Sequence, residues 1–378
     1  MSTSEQIALL DELLELHEQK QQYLDEQVTQ RSVDNYSNPD LFKREHDNIL
    51  RQRPQMVLHA SELPGPGSYI VKDVVGMPVL LVRDQAGNAR AFYNVCRHRG
   101  ARLVSEGEGC KHRFICPYHA WTYNTEGKLI GVPHERSGFP DLEREELGLT
   151  PVACAEYGGW IWVSLAPDDP MDIKTYLGEL DAEFLALEGE SHVVAGSTTQ
   201  EYAANWKILA EGGLEAYHFR VAHKNTIAPL FLDNLSSYQI FGDHMRSVLP
   251  RSNLPELQGK SKDEINFGSY ANVLYTFFPA SQFLVQEDHI VWIHSTALGP
   301  DRTRLRITTL VPRANLNEEM TSYWQKNHDL TMMTLKEDFD LGEGIQLGVS
   351  TPANTHINFG RFEGALDQFN RIVERNIS

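Results

Sequence analysis

The first pattern along the chain is helical. Leu10, Leu13, Leu14 and His17 fall on one face at 3.6-residue spacing with Glu and Gln opposite, which predicts an amphipathic helix over residues 5–28. Such a helix packs on its own protein or on a sister subunit. Asn38-Pro39-Asp40 breaks the pattern and starts a short helix toward Leu50. From about Pro64 short strands alternate with turns. SYIVKDVV, MPVLLVRD, RAFYNV and GGWIWVSL are β-branched or aromatic runs, and Gln85-Ala86-Gly87-Asn88 reads as a hairpin loop. Ala166-Pro167-Asp168-Asp169-Pro170 marks a boundary. Beyond it the pattern predicts a helix over 172–188, a strand near 193–203 and a helix from about Asn205. Four β-rich stretches follow at 236–249, 270–278, 281–298 and 302–312, then helices over 317–340 and 362–375.

The fold class is therefore α+β. A helical segment, 1–54, packs on the C-terminal domain; a small antiparallel β domain occupies 55–167; an antiparallel sheet covered by helices occupies 168–378. No internal repeat or low-complexity tract interrupts this plan.

Composition narrows the function. The 34 Lys and Arg against 52 Asp and Glu give a formal charge of −18, which argues against nucleic acid and against an anionic membrane surface. Four cysteines in 378 residues are too few for a disulfide scaffold. The N-terminal residues lack a basic region followed by an apolar core, so no secretory signal is expected, and the expected address is the cytoplasm.

Two constellations carry chemistry. Cys96-Arg97-His98 is followed after 17 residues by Cys116-Pro117-Tyr118-His119, each half at a tip between predicted strands. Two thiolates and two imidazoles suit one tetrahedral zinc, or a [2Fe–2S] cluster with cysteines on one iron and histidines on the other. Zinc sites commonly pair like with like, as C-x2-C or H-x3-H, whereas each pair here is a Cys then a His. Gly100 and Ala101 are small enough for loop N–H groups to approach a sulfide. CRHRGARL and CPYHAWTY resemble the two loops of Rieske proteins, and this favours the cluster, held by Cys96, His98, Cys116 and His119.

The second constellation lies in NWKILAEGGLEAYHFRVAH, residues 205–223, with Glu211, Glu215, His218 and His223. Glu215 and His218, at i and i+3, would meet on one helical face. His218 and His223, at i and i+5, would sit about 140° apart on a regular helix, so their convergence needs a bulge or a helix end. Two histidines and one carboxylate leave open positions on Fe(II). Asp338 in KEDFDLGEGIQLGV is the best third donor by position; Glu337 and Asp340 are rivals that periodicity does not separate.

From about Asp40 to Arg371 the chain resembles the large (α) subunit of Rieske non-haem iron ring-hydroxylating oxygenases. The N-W-K opening with E-x-Y-H-x4-H resembles the family's iron segment, which implies His218 and His223 as ligands, and E-D followed by I-Q implies Asp338 as the third. Many relatives carry Asp where Glu215 stands and Asn near Gly212. In the family that acid bonds a Rieske histidine of the neighbouring subunit, which implies a Glu215–His119 pair here and gives Glu215 a catalytic coupling role. Glu at this position also occurs in branches acting on quaternary amines.

The resemblance further implies an enzyme that uses O2 to hydroxylate or dioxygenate a small organic substrate, aromatic by the family's commonest habit, with a quaternary amine as the alternative. Electrons would come from NAD(P)H through a separate flavin-containing reductase, with or without a ferredoxin. A head-to-tail homotrimer is implied, with or without a small β subunit. Arg97 and Arg99 are candidates to meet acids across that contact. A Rieske electron carrier would leave His218, His223 and Asp338 without purpose, and a zinc-stabilised binding protein would contain no labile sulfide.

Overall fold

The computed structural model describes residues 1–105, 107–260 and 265–377. They gather into two compact units, one of residues 1–50, 177–187 and 192–377, the other of residues 51–176 and 188–191. No helix among the described residues is long and apolar enough to cross a membrane.

The smaller unit is β-rich throughout. Its seven-stranded antiparallel sheet runs Gln55–His59, Trp160–Ser164, Pro151–Tyr157, Ala89–Tyr93, Met77–Arg83, Ser68–Val74 and Glu108–Cys110, in that spatial order. The 85–88 hairpin forms as the sequence implies, tied by the Asp84 carboxylate, which accepts from the N–H groups of Ala86 and Asn88. Arg113–Ile115, Thr122–Asn124 and Leu129–Gly131 make a second, three-stranded sheet. Leu80, Val82, Phe92, Phe114, Trp121 and Tyr123 join Cys96 and Cys116 in one buried cluster, so the two loops grow out of the unit's core.

In the larger unit seven antiparallel strands run His192–Tyr202, Arg302–Pro312, Ile290–Gly299, Ser281–Val285, Ala271–Phe277, His244–Pro250 and Ser237–Phe241. The helix Glu318–Val349 lies along the first two. His328 fastens it there by bonding Thr198 (2.8 Å) through Nε2 and Thr309 (2.9 Å) through Nδ1. The sequence reading stopped this helix at 340, before the glycines. It continues to Val349, and Gly342 within it is buried where a Cβ would come within 2.8 Å of Leu209. Glycine costs helix propensity here but permits close approach to the helix Trp206–Glu211.

Two other expected helices differ. The first spans Thr3–Glu18, not 5–28: Leu10, Leu13 and Leu14 are buried as expected, but the Gln19–Gln22 run offers no further apolar face, and Lys20 adopts φ +55°. The 172–188 helix is broken into Ile173–Leu177, a 3-10 turn and Asp181–Leu185, with Gly178 at φ +56° as the break. Residues 1–50 are built into the larger unit. Thr29–Ser32 pairs with His356–Phe359, and Ile49 shares a buried cluster with Trp206, Phe369, Ile372 and Val373. Phe277, Phe283 and Trp292 are buried core residues, with the Phe283 ring in edge contact with the other two.

Candidate functional site

The two loops of the smaller unit share one backbone design. Cys96 N–H donates to the Ala101 carbonyl (2.8 Å) and Gly100 N–H to the Cys96 carbonyl (2.9 Å); Cys116 N–H donates to Trp121 (2.8 Å) and Ala120 N–H to Cys116 (2.9 Å). Each turn passes through a left-handed residue at the same step, Gly100 at φ +76° and Ala120 at φ +58°. Glycine takes this conformation without strain, and alanine bears a modest cost for it.

This design sets the donors in two pairs. Cys96 and Cys116 are buried free thiols, and their mutual contact joins burial in raising the Cys96 pKa. The Tyr123 hydroxyl lies 3.5 Å from the Cys96 sulfur and 3.0 Å from Arg97 N–H. His98 and His119 are half-buried, with Nδ1 atoms 3.1 Å apart. Trp121 stacks on His98 at 4.9 Å. Sulfur donors inward and imidazole nitrogens outward suit a two-iron cluster that takes two thiolates at one end and two neutral histidines at the other. Arg97 donates to Gly148 O (3.0 Å), and Arg99 reaches the Tyr118 hydroxyl (3.2 Å).

In the larger unit the helix Trp206–Glu211, capped by Asn205, ends at Gly212. The chain then turns through Glu215 and enters the short helix Phe219–Ala222, with His218 before it and His223 after it. That helix end is the irregularity the i, i+5 spacing required. Glu215 is consequently not on a helical face. Its carboxylate accepts from the N–H groups of Tyr217 and His218 (the latter 3.2 Å) and from His218 Nδ1.

The structure brings His218, His223 and Asp338 together, with one donor atom from each inside a span of 4.8 Å. The two Nε2 atoms are 3.2 Å apart, and Asp338 Oδ1 lies 3.3 Å from that of His218 and 2.8 Å from that of His223. Such spacing fits donors on one cation with bonds of about 2.1 Å near right angles. Burial opposes protonation of His218, but hydrogen bonds to Asp338 and Glu215 outweigh it and push its pKa up to about 10. Burial would raise Asp338, yet both histidines hold it below the usual carboxylate range. Of the rivals, Asp340 faces outward and pairs with Lys336 (2.6 Å), whereas Glu337 bonds the other nitrogen of His223, Nδ1, at 2.7 Å.

Sequence reasoning missed the scaffold beneath this turn. Lys207 pairs with Glu45, which also accepts from Trp206 Nε1 (2.9 Å). Buried Glu211 accepts from the Tyr36 hydroxyl and from Asn370, each at 2.8 Å. No local signal reveals partners more than 150 residues away. Burial lifts the Glu211 pKa from 4.5 to about 7 against the lowering effect of those bonds and of Lys207. A raised acid contributes stability that is complete below pH 4.5 and lost as pH rises through about 7. Between about pH 5 and 8 that loss is on the order of 2–3 kcal/mol. Chemical denaturation at both pH values should therefore show a flatter pH dependence in Glu211→Gln than in the parent. Equal slopes would remove Glu211 as a source.

Comparison with known families matches residues 53–154 to the Rieske [2Fe-2S] domain and residues 190–378 to the ring hydroxylating alpha subunit (catalytic domain). The glycine betaine monooxygenase oxygenase subunit of Chromohalobacter salexigens is 35% identical over 203 residues, 54% of this chain and 44% of that protein. The anthranilate 1,2-dioxygenase large subunit of Acinetobacter baylyi is 31% identical over 201 residues, 52% of this chain and 42% of its own. The matched region thus spans less than half the length of these curated relatives. A quaternary ammonium Rieske monooxygenase crystallised with L-carnitine superposes with a TM-score of 0.78 at 21% identity, covering 92% of this chain and 95% of that one. That likeness establishes the fold.

Proposed function

Because the chain belongs to the ring-hydroxylating α-subunit family of Rieske oxygenases, we propose that it is the oxygenase component of a system that inserts oxygen into a small organic substrate. The observation that carries this reading is the convergence of His218, His223 and Asp338 in a chain that also presents two Cys/His loops of matching geometry. In monooxygenation R–H, O2, two electrons and two protons give R–OH and water.

Cys96, Cys116, His98 and His119 would hold a [2Fe–2S] cluster, and His218, His223 and Asp338 one Fe(II). When bound, the cluster supplies single electrons and the Fe(II) an open site for O2. The protein's part is placement. Tyr123 and the Arg97 N–H support the cysteine side of the first site. Glu215 accepts a hydrogen bond from Nδ1–H of His218 and so keeps its Nε2 lone pair toward the second.

Electron supply from NAD(P)H by a flavin-containing reductase, with or without a ferredoxin, is proposed with it. So is a head-to-tail homotrimer in which Glu215 of one chain meets His119 of the next. Exposed apolar side chains beside each site, Tyr118 next to His119 and Tyr217 and Val221 flanking His218, favour a contact there. Four free cysteines favour the reducing cytoplasm.

For the substrate, aromatic and quaternary-amine readings both fit the family. One observation favours the cation. Glu215, Glu337, Asp338 and Glu363 gather near His218 and His223, and their hydrogen-bond partners are histidines, backbone N–H groups and Thr226. The first test is metal and sulfide analysis of anaerobically purified protein. Three irons and two labile sulfides per chain are expected, with a red-brown colour that bleaches on reduction; zinc without sulfide would overturn the reading. Substrate-dependent oxygen uptake with a surrogate reductase then separates quaternary amines from aromatic acids.

A further inference from the structure

The histidine at 223 is held from both sides by neighbouring carboxylates of one helix. Asp338 Oδ1 lies 2.8 Å from its Nε2, and Glu337 Oε2 lies 2.7 Å from its Nδ1. Consecutive helical residues point about 100° apart, so a helix can present one acid to each nitrogen only if the ring lies edge-on across it. His223 does so with a side chain 1% exposed. Glu337 is itself held, for the Thr226 hydroxyl donates to the same Oε2 at 2.6 Å. Thr226 sits in the turn after His223, where the N–H groups of Thr226 (3.0 Å) and Ala228 (3.1 Å) both donate to the His223 carbonyl. The backbone and ring of His223 are thus fastened by a single turn.

We propose that Glu337 and Thr226 form a positioning pair for His223: the carboxylate accepts a hydrogen bond from Nδ1–H, which keeps the proton on that nitrogen and turns the Nε2 lone pair into the site, while the hydroxyl fixes the carboxylate. The inference rests on the reading of His218, His223 and Asp338 as an Fe(II) site. A neutral imidazole carries one N–H, and nothing intrinsic decides which nitrogen bears it. Glu337 decides it for His223 as Glu215 does for His218, so the two rings are oriented by separate acids. Glu215 belongs to the ligand turn itself. Glu337 comes from the helix that also supplies Asp338, so it ties the ligand turn to the source of the third donor. Asp340, three residues after Glu337, pairs with Lys336 at the surface and serves as the comparison.

The test is Fe(II) affinity by chelator competition on full-length, cluster-loaded protein, with thermal unfolding of the same proteins freed of the mononuclear metal. The parent should bind one Fe(II) beyond the cluster. Failure to do so would overturn the site and this pair with it. Glu337→Ala should weaken Fe(II) binding about 10- to 100-fold, the range seen when the partner of a metal-bound histidine is removed. Glu337→Gln, which retains a neutral acceptor, should recover part of the loss, and Thr226→Val should lose only several-fold. Asp340→Ala should match the parent. If Glu337→Ala binds Fe(II) within about twofold of a parent that binds it well, the pair has no positioning role. A loss of affinity that merely follows a lower unfolding temperature would also overturn it, since that marks a general folding defect.

Discussion

Asp338→Ala is expected to yield a protein that keeps its cluster and turns over no substrate. Iron should fall from three to two per chain while labile sulfide stays at two. The reason is geometric. Asp338 Oδ1 lies within 3.3 Å of both Nε2 atoms, and it is the anionic member of the set. Two neutral imidazoles remain after its removal, so Fe(II) affinity should fall by more than about 100-fold, beyond the range for losing an orienting partner alone. The visible spectrum of the cluster should not change, because its donors belong to the smaller unit. A variant retaining three irons and normal turnover would show that Asp338 is not the third ligand.

Glu215→Gln should separate electron storage from electron use. The carboxylate accepts three hydrogen bonds, from the N–H groups of Tyr217 and His218 and from His218 Nδ1. A glutamine keeps a single acceptor oxygen, so either the turn or the imidazole loses its partner, at a cost of about 1–3 kcal/mol. The negative charge proposed to face His119 of a neighbouring chain is lost as well. Cluster reduction should proceed normally, and with Fe(II) saturated by excess metal the reoxidation of a pre-reduced cluster by O2 and substrate should slow by roughly 100-fold. Parent-like reoxidation in a single turnover would remove Glu215 from the coupling. A slow rate cured by added Fe(II) would reassign the residue to metal retention.

What the sequence revealed and what it concealed divide along physical lines. Cys96, His98, Cys116 and His119 were legible because their chemistry and spacing belong to the chain itself, and their loops are closed by local hydrogen bonds. The strands 68–74, 77–83 and 160–164 were legible by alternation and β-branching. The choice among Glu337, Asp338 and Asp340 was not, since all three sit on one helix, and which of them faces His223 is set by packing against distant residues, through His328 on Thr198 and Thr309 and Gly342 on Leu209. The resemblance implies Asp338; in the structure its Oδ1 lies beside both Nε2 atoms, and Glu337 bonds the other nitrogen of His223. The breaks at Lys20 and Gly178 went unseen because single left-handed residues leave hydrophobic periodicity almost unchanged. Tyr36 and Glu45 went unseen because their partners, Glu211 and Lys207, lie in another part of the chain.

The pairing of Thr29–Ser32 with His356–Phe359 carries a consequence for biogenesis. The unit with the two Cys/His loops draws only on residues 51–176 and 188–191, so it has all its parts once residue 191 has left the ribosome. The other unit is in the opposite position. Its strand Thr29–Ser32 waits for His356–Phe359, made far later, and Ile49 waits for Ile372 and Val373. Such long-range closure is slow, and until it occurs the early segments stay exposed. Translation order therefore favours completion of the unit that carries the two Cys/His loops ahead of the other. A nascent chain arrested before residue 356 would hold both Cys/His loops in a finished unit while the unit of His218, His223 and Asp338 still lacked a strand.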